Sequence, residues 1–185
     1  MMSAAVLTCM SSSKGEKQME FYLRLSQDND LDQLQRLSVR ARHRYTSIAS
    51  LAHVAESPPL GADRFEACRV MVAVDRHSKE VIGFAAMRPL DDDVYLDNIS
   101  VEPGVSGQGV GKILLSSVEA YAHSLQRKAI SLTTFREPRW NGPWFRQQGF
   151  YPMPTDRIGD GLISVIQRQS QSFNPETRET LWRLL

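Results

Sequence analysis

Three alternating glycines join two regular segments in the middle of the chain and give it a turn suited to binding an anion. A β-rich segment ends at Val101, Pro103 follows, and an amphipathic segment begins after Gly107, Gly109 and Gly111. Glycine lets the backbone N–H groups of such a turn point toward one place, at the positive end of the helix dipole. Phosphate or pyrophosphate suits this geometry best, and a glycine-rich turn without a ligand is the alternative.

Two common phosphate motifs do not fit the spacing of these glycines. A P-loop needs a glycine at the position of Ser106 and a serine or threonine at the position of Ile113. A dinucleotide fingerprint that starts at Gly107 needs its third glycine at the position of Lys112. The turn is therefore of another type, although it still lies between a strand and a helix.

Along the chain, segments with the residue pattern of β-strands are followed by segments whose apolar residues recur every three or four positions, as in helices. A segment that follows a crossover helix should pair in parallel with the strand before that helix, so residues 129–135 should lie parallel to residues 94–101. The pattern predicts an α/β (α+β) fold, with a mixed, mostly antiparallel central sheet, one parallel pair and helices on both faces. The predicted strands are residues 19–25, 70–75, 81–88, 94–101, 129–135 and 162–167, and the predicted helices are residues 30–52, 112–125, 143–148 and 175–184.

Composition excludes several classes of protein. Lys and Arg number 22 and Asp and Glu number 21 among the 185 residues, so the net charge of +1 gives no argument for binding nucleic acid or an anionic membrane. No run of 18 apolar residues predicts a membrane span. Cys9 and Cys68 form no zinc-ligand pattern, so we expect no metal site and a reducing, cytoplasmic location. We predict a flexible tail over residues 1–18 and one domain over residues 19–185.

The glycine turn and two later segments resemble the GNAT acetyltransferase superfamily. The run from Val101-Glu-Pro103 to Gly107-Gln-Gly109-Val-Gly111-Lys112 is similar to its acetyl-CoA-binding element, and Gly149-Phe150 is similar to its second landmark. Residues 132–145, LTTFREPRWNGPWF, resemble a TTFR…WN-x-P branch of the superfamily. The resemblance extends over nearly all of residues 19–185.

The resemblance implies acetyl-CoA as co-substrate, no metal, and a set of contact residues. It assigns the pantetheine arm to the backbone of Ile99, Ser100 and Val101 on the strand before the turn. It assigns a further cofactor contact to Asn141. The pyrophosphate would be held by backbone N–H groups of the turn, which belong to Gly107, Gln108, Gly109, Val110, Gly111 and Lys112.

Two positions differ from the pattern of the superfamily. Ser106 stands where a glutamine or arginine is usual, which predicts weaker rather than absent cofactor binding because backbone amides do most of the work. Phe145 stands where the superfamily commonly has the tyrosine that protonates the departing thiolate. A phenyl ring has no proton to give, so the general acid is missing from its usual position.

Acetylation of an amine needs a neutral nitrogen, because an ordinary alkylammonium has a pKa of about 10.4. Asp97 is the best candidate for the base, and its side chain shares a strand face with Tyr95 and Ile99; an exposed carboxylate at the end of a strand is the equal alternative. Another base position of the superfamily is Thr133 here, which is no base. Tyr151 is the candidate for a replacement acid, with simple packing as the alternative.

Other features allow two interpretations each. Arg36 and Arg40 predict a solvated helix face, whereas Arg42 and Arg44 flank the apolar stripe and allow contact with an anionic acceptor. The acidic run of residues 91–93 is typical of a polar hairpin turn, and attraction of a cationic amine is the other interpretation. Trp140 and Trp144 fit core packing and the walls of an acceptor pocket equally well.

The resemblance implies an acetyl-CoA-dependent N-acetyltransferase that acts by direct attack of the acceptor amine. The near-neutral charge favours a primary amine of a small molecule as the acceptor. A protein acetyltransferase for lysines or N-termini is the alternative within enzymes, and a non-catalytic acyl-CoA sensor is the alternative outside them. The resemblance also allows a homodimer, and it gives no reason to expect nucleic acid or a membrane as a partner.

Overall fold

The computed structural model of the chain describes residues 19–185, so the predicted tail over residues 1–18 lies outside the described residues. The strands are β1 (Phe21–Leu25), β2 (Arg69–Asp75), β3 (Val81–Leu90), β4 (Asp93–Val101), β5 (Ala129–Phe135), β6 (Tyr151–Pro152) and β7 (Arg178–Leu184). The α-helices are α1 (Leu31–Arg42), α2 (Ala52–Ala55), α3 (Ala62–Glu66), α4 (Val110–Ser124), α5 (Gly142–Gln147) and α6 (Asp160–Ser170).

The seven strands follow the order β1-β2-β3-β4-β5-β7-β6 in one sheet. β4 and β5 are parallel, with Val94 opposite Ile130 and Tyr95 opposite Ser131. The pairs β1–β2, β5–β7 and β6–β7 are antiparallel. The helix α4 lies between β4 and β5 in the chain, as a parallel pair requires. The predicted fold class, a mostly antiparallel mixed sheet with one parallel pair, is confirmed.

The two last elements predicted from the sequence were wrong. Residues 162–167 belong to helix α6 and not to a strand, because Leu162, Val165 and Ile166 recur at helical spacing and pack against Tyr95. Residues 175–184 form a short 3-10 turn and then strand β7, which pairs with every residue of β5. A short apolar run does not distinguish helix from strand by its own periodicity, and tertiary partners decide.

The long helix predicted over residues 30–52 is interrupted after Arg42. The chain continues as 3-10 turns over His43–Ser47 and Ala49–Leu51 before α2. The hydroxyls of Thr46 and Ser47 donate hydrogen bonds to carbonyls three residues earlier, at 2.8 Å each. Such local bonds compete with the α-helical ladder, so the spacing of apolar residues continues while the α-helix does not.

The chain divides into two compact units. The first contains the chain up to Ala86 together with Asn98–Leu114, and the second contains Met87–Asp97 and Leu115–Leu185. The core of the first unit includes Leu37, Val72 and Phe84, each fully buried. A core cluster of the second unit joins Tyr95 to two residues of α6. One domain over residues 19–185 stays a prediction.

The start of α6 is fixed by a carboxylate from the turn between β3 and β4. Asp91 accepts hydrogen bonds from the backbone N–H groups of Gly161 and Leu162, at 3.0 Å each. These N–H groups belong to the first turn of the helix, where no intrahelical carbonyl is available and the dipole favours a negative charge. The acidic turn predicted over residues 91–93 is therefore also a helix cap, which the local sequence did not indicate.

We predict that Asp91→Asn lowers the free energy of unfolding by about 1–2 kcal/mol, since it removes the charge and one of the two acceptor oxygens. Asn tolerates the left-handed backbone of this position, φ 50°, so backbone strain does not add to the effect. Asp92→Asn is the matched control, because the Asp92 side chain is fully exposed. Urea unfolding of both variants measures the difference, and equal losses would contradict the capping role.

Candidate functional site

The glycine turn adopts a backbone conformation that few residues other than glycine can hold. Gly107 has a φ of 86° and Gly109 a φ of 85°, in the left-handed region. No heavy atom lies within 4 Å of the position that a Cβ would take at either glycine, so the backbone faces open space. The turn follows a 3-10 turn over Pro103–Val105 and leads directly into α4. Here the structure agrees with the prediction of a strand, a turn and a helix.

The N–H groups at the start of α4 are available to a ligand by the geometry of the helix. The N–H of Ile113 donates to the carbonyl of Gly109, at 3.1 Å, so the N–H groups of Val110 and Gly111 have no carbonyl one turn earlier in the helix. α4 is 15 residues long, and its dipole places partial positive charge at this end. The side chain of Val110 is buried and anchors the turn. The backbone of the first unit therefore has, at this turn, the geometry that suits an anion.

The residue before the turn is held from two sides within the first unit. The N–H of Glu102 donates to the carbonyl of Ile82 at 2.9 Å. The Glu102 carboxylate accepts from Nε of Arg40 at 2.9 Å and from Nη2 at 2.8 Å, and this hydrogen-bonded partner raises the pKa of Arg40. Arg40 is exposed, in agreement with the solvated face predicted for it, and its guanidinium in addition forms this forked ion pair.

In the second unit Asp97 is half-buried near the hydroxyl of Tyr95. Burial raises the pKa of the Tyr95 hydroxyl, and the negative charge of Asp97 raises it further. Tyr95 thus remains protonated at neutral pH and acts as a hydrogen-bond donor. Among the described residues of this unit, the ladder between β4 and β5 ends at Tyr95, two residues before Asp97.

The Tyr95 hydroxyl begins a chain of polar side chains across β4, β5, α6 and β7. The Tyr95 hydroxyl lies 2.9 Å from Oγ1 of Thr133, and the Thr133 hydroxyl donates to Oε1 of Gln169 at 2.8 Å. Nη2 of Arg178 donates to Oγ1 of Thr133 at 3.2 Å and to Oε1 of Gln169 at 2.8 Å. Sequence reasoning missed Gln169 and Arg178, because the secondary structure of their segments was predicted wrongly.

Asn141 and Phe145 lie where the second unit starts α5. The side-chain amide of Asn141 donates to Oγ1 of Thr134 at 3.1 Å, and the backbone carbonyl of Asn141 accepts from the N–H of Phe145 at 3.0 Å. The Phe145 ring is buried edge-on against Trp144 and Phe150, at centroid distances of 4.9 and 5.5 Å. The position that commonly provides the acid is therefore part of an aromatic cluster. Cofactor contact by Asn141 stays a prediction.

The structure does not bring Tyr151 together with Asp97. Tyr151 is on β6, at the edge of the sheet, and β5 and β7 lie between it and β4. Three steps between neighbouring strands amount to about 14 Å. Tyr151 is 41% exposed and its ring contacts Trp182, with centroids 5.8 Å apart. The acid role of Tyr151 stays a prediction, and this placement gives it no support.

The described residues contain neither a membrane-length helix nor a metal-binding cluster. No helix within residues 19–185 is long and apolar enough to span a bilayer. Within the same residues, His, Cys, Asp and Glu side chains form no group of three or more that could hold a metal ion.

Comparison with known proteins identifies the domain. A family model described as "Acetyltransferase (GNAT) domain" matches residues 66–152, which include β4, the glycine turn, α4 and β5. The chain contains a GNAT acetyltransferase domain. The predicted membership of the superfamily is confirmed, whereas its TTFR…WN-x-P branch stays a prediction.

Individual relatives of this GNAT domain are distant. An amino-acid acetyltransferase of Azotobacter vinelandii is 33% identical over 97 residues, which are 50% of this chain and 22% of that protein. The chain thus matches about a fifth of the length of this curated relative. The PaiA N-acetyltransferase of Thermoplasma acidophilum, solved in complex with coenzyme A, superposes with a TM-score of 0.66 at 14% identity and covers 90% of this chain and 100% of its own.

A second solved structure has the same fold. N-acetylglutamate synthase of Neisseria gonorrhoeae, complexed with coenzyme A and N-acetyl-glutamate, superposes with a TM-score of 0.66 at 17% identity. The match covers 91% of this chain and 36% of that protein. At these identities the superpositions establish the fold of the GNAT domain and no shared substrate.

Proposed function

We propose that the GNAT domain transfers the acetyl group of acetyl-CoA to a primary amine of a small molecule. The observation that carries this proposal is the turn before α4, where Gly107 and Gly109 take left-handed φ angles and the first N–H groups of the helix have no carbonyl one turn earlier. Coenzyme A has a pyrophosphate, which is the kind of anion that such a turn binds. The two solved neighbours that contain coenzyme A support this choice of ligand.

The proposed cofactor contacts are those that the resemblance assigned. Backbone N–H groups from Gly107 to Lys112 hold the pyrophosphate, and the backbone of Ile99, Ser100 and Val101 pairs with the pantetheine arm. Asn141 provides a further contact. The forked ion pair between Arg40 and Glu102 acts as a positioning contact, because it fixes the residue from which the turn departs.

The proposed reaction is direct attack of the neutral amine on the thioester carbonyl carbon. A C–N bond forms, the C–S bond breaks, and the nitrogen loses a proton to Asp97, directly or through one water. The departing thiolate takes up a proton from solvent. A thiol with a pKa of about 8.5 leaves without a dedicated acid, so the phenyl ring of Phe145 slows this step without preventing it.

Two observations support a small-molecule amine as the acceptor. The net charge of +1 gives no overall electrostatic attraction for a strongly charged protein. The curated relative is named for acetylating an amino acid, which supports a small-molecule acceptor. The second candidate function is an acyl-CoA sensor without turnover, and the observation that favours it is the buried Phe145 ring at the usual acid position.

Release of free thiol from acetyl-CoA in the presence of an amine panel distinguishes these functions. The proposal predicts thiol release that depends on a small-molecule amine. Binding of acetyl-CoA without thiol release from any amine, peptide or protein acceptor would instead establish the sensor. Release with lysine-containing peptides alone would establish a protein acetyltransferase.

We predict that Gly109→Asp abolishes the thermal stabilisation that acetyl-CoA gives the wild type, since a carboxylate would stand where the pyrophosphate binds. Gly109→Ala is the control for backbone strain, because it adds a Cβ at the same φ of 85° without charge. Gly104→Asp is the control for charge, since it adds a carboxylate at a nearby glycine with open space and no left-handed φ. An unchanged shift in Gly109→Asp would contradict the proposed binding site.

We predict that Asp97→Asn lowers kcat/KM by about 100-fold at neutral pH and by less as the pH approaches the pKa of the acceptor amine. The variant keeps the shape of the side chain and removes its basicity, and at high pH the amine supplies its own lone pair. A pH–rate profile of both proteins measures this convergence. A small loss that is equal at every pH would make Asp97 an ordinary strand-end carboxylate.

A further inference from the structure

A cavity of about 160 Å³ opens in the second unit at the end of the polar chain that starts at Tyr95. Its wall includes Thr133 from β5, Gln169 from α6 and Arg178 from β7, together with the ring of Phe173. None of these residues belongs to the contacts proposed above for acetyl-CoA. The volume admits a small group such as a carboxylate with a few carbon atoms, and it is smaller than a typical pocket for a whole drug-sized ligand.

The guanidinium of Arg178 is oriented before any ligand arrives. Its central carbon lies 4.6 Å from the ring centroid of Phe135 and 5.3 Å from that of Phe173, so the planar group is held against two aromatic rings. Hydrogen bonds from Nη2 to Thr133 and Gln169 fix its rotation. A planar fork held in this way pairs with a carboxylate at little entropic cost.

The charges on the wall of the cavity match a single negative charge. Arg136 and Arg178 are positive, and Glu179 is the negative residue on the wall. Glu179 is nearly buried and already accepts a 2.5 Å hydrogen bond from Arg146. Glu179 also lies 3.7 Å from Nη1 of Arg136, so the three arginines at and beside the wall outnumber its one carboxylate, and the resulting positive charge suits a carboxylate ligand.

Hydrogen bonds connect the cavity to Tyr95, which shares a strand face with the proposed base. Thr133 bonds to both Arg178 and Tyr95, and Asp97 lies two residues beyond Tyr95 on β4. We infer that this cavity binds the carboxylate of the acceptor, so that the acceptor is a small amino acid whose amine lies toward Asp97. This inference rests on the proposed function, and it names the class of amine.

The test compares L-amino acids with their carboxamides, which keep the amine and lack the negative charge. For its preferred side chain the wild type should show a kcat/KM at least 10-fold higher with the acid than with the amide. Gln169→Glu is nearly isosteric and places a carboxylate beside Arg178, and Arg178→Lys keeps the charge and removes the fork. Arg168→Gln is the matched control, because it removes an exposed positive charge of α6 that is not part of the cavity wall.

Both cavity variants should raise KM for the amino acid by roughly 10- to 100-fold and lower kcat/KM for the amide by a much smaller factor, whereas Arg168→Gln should change neither. Equal rates with acid and amide in the wild type, or an equal loss for both acceptors in Gln169→Glu, would overturn the inference. Thermal unfolding and acetyl-CoA binding of each variant show that a loss for both acceptors is not a folding defect.

Calorimetric titration of the amino acids into the protein saturated with CoA separates this inference from the proposed function. CoA without an acetyl group permits binding and no turnover. If an amino acid binds and Gln169→Glu weakens this binding by roughly 10- to 100-fold, the result would support carboxylate binding in the cavity even if no amine were acetylated. Turnover of amines without any preference for a carboxylate would leave the proposed function in place and refute the cavity.

Discussion

The second unit depends on two hydrogen bonds from the start of α6 to the carboxylate of Asp91, a residue 70 positions earlier in the chain. They determine where α6 begins and therefore which of its residues face the sheet. Leu162 then packs on Tyr95, and Gln169, two turns further along the helix, reaches Thr133 and Arg178. The polar chain beside Asp97 is thus a consequence of one helix cap rather than of a local motif.

In the first unit the groups proposed to bind an anion are backbone N–H groups rather than side chains. The left-handed φ angles of Gly107 and Gly109 turn the chain, and the buried side chain of Val110 holds the first residue of α4. Glu102 fixes the entry to the turn through Arg40 and through its own backbone. In the binding mode that we propose the backbone provides the donors, so the short side chain of Ser106 removes little from the site.

The parts of the fold that local chemistry determines were predicted from the sequence. Alternation predicted β1, β-rich runs predicted the following strands up to β5, and the glycines together with an amphipathic pattern predicted the turn and the helix after it. The last two elements were predicted wrongly because the run Leu162-Ile-Ser-Val-Ile166 fits both a helix and a strand, and its cap comes from the distant Asp91. Gln169 and Arg178 had no signal of their own, since only the correct assignment of α6 and β7 places them beside Thr133. The strand period placed Tyr95 and Asp97 on one face of β4, but it gave no hydrogen-bond partner for the Tyr95 hydroxyl.

We propose that the turn before α4 binds the pyrophosphate of coenzyme A through its backbone amides. Titration of the ¹⁵N-labelled protein with CoA, followed by amide NMR, tests this binding mode. A hydrogen bond to an anionic oxygen deshields the donor proton, so we expect saturable downfield shifts of the amides of Gly107, Gly109 and Gly111. If the shifts of these glycine amides did not change on addition of CoA, whether or not other amides shifted, the proposed binding mode would be contradicted.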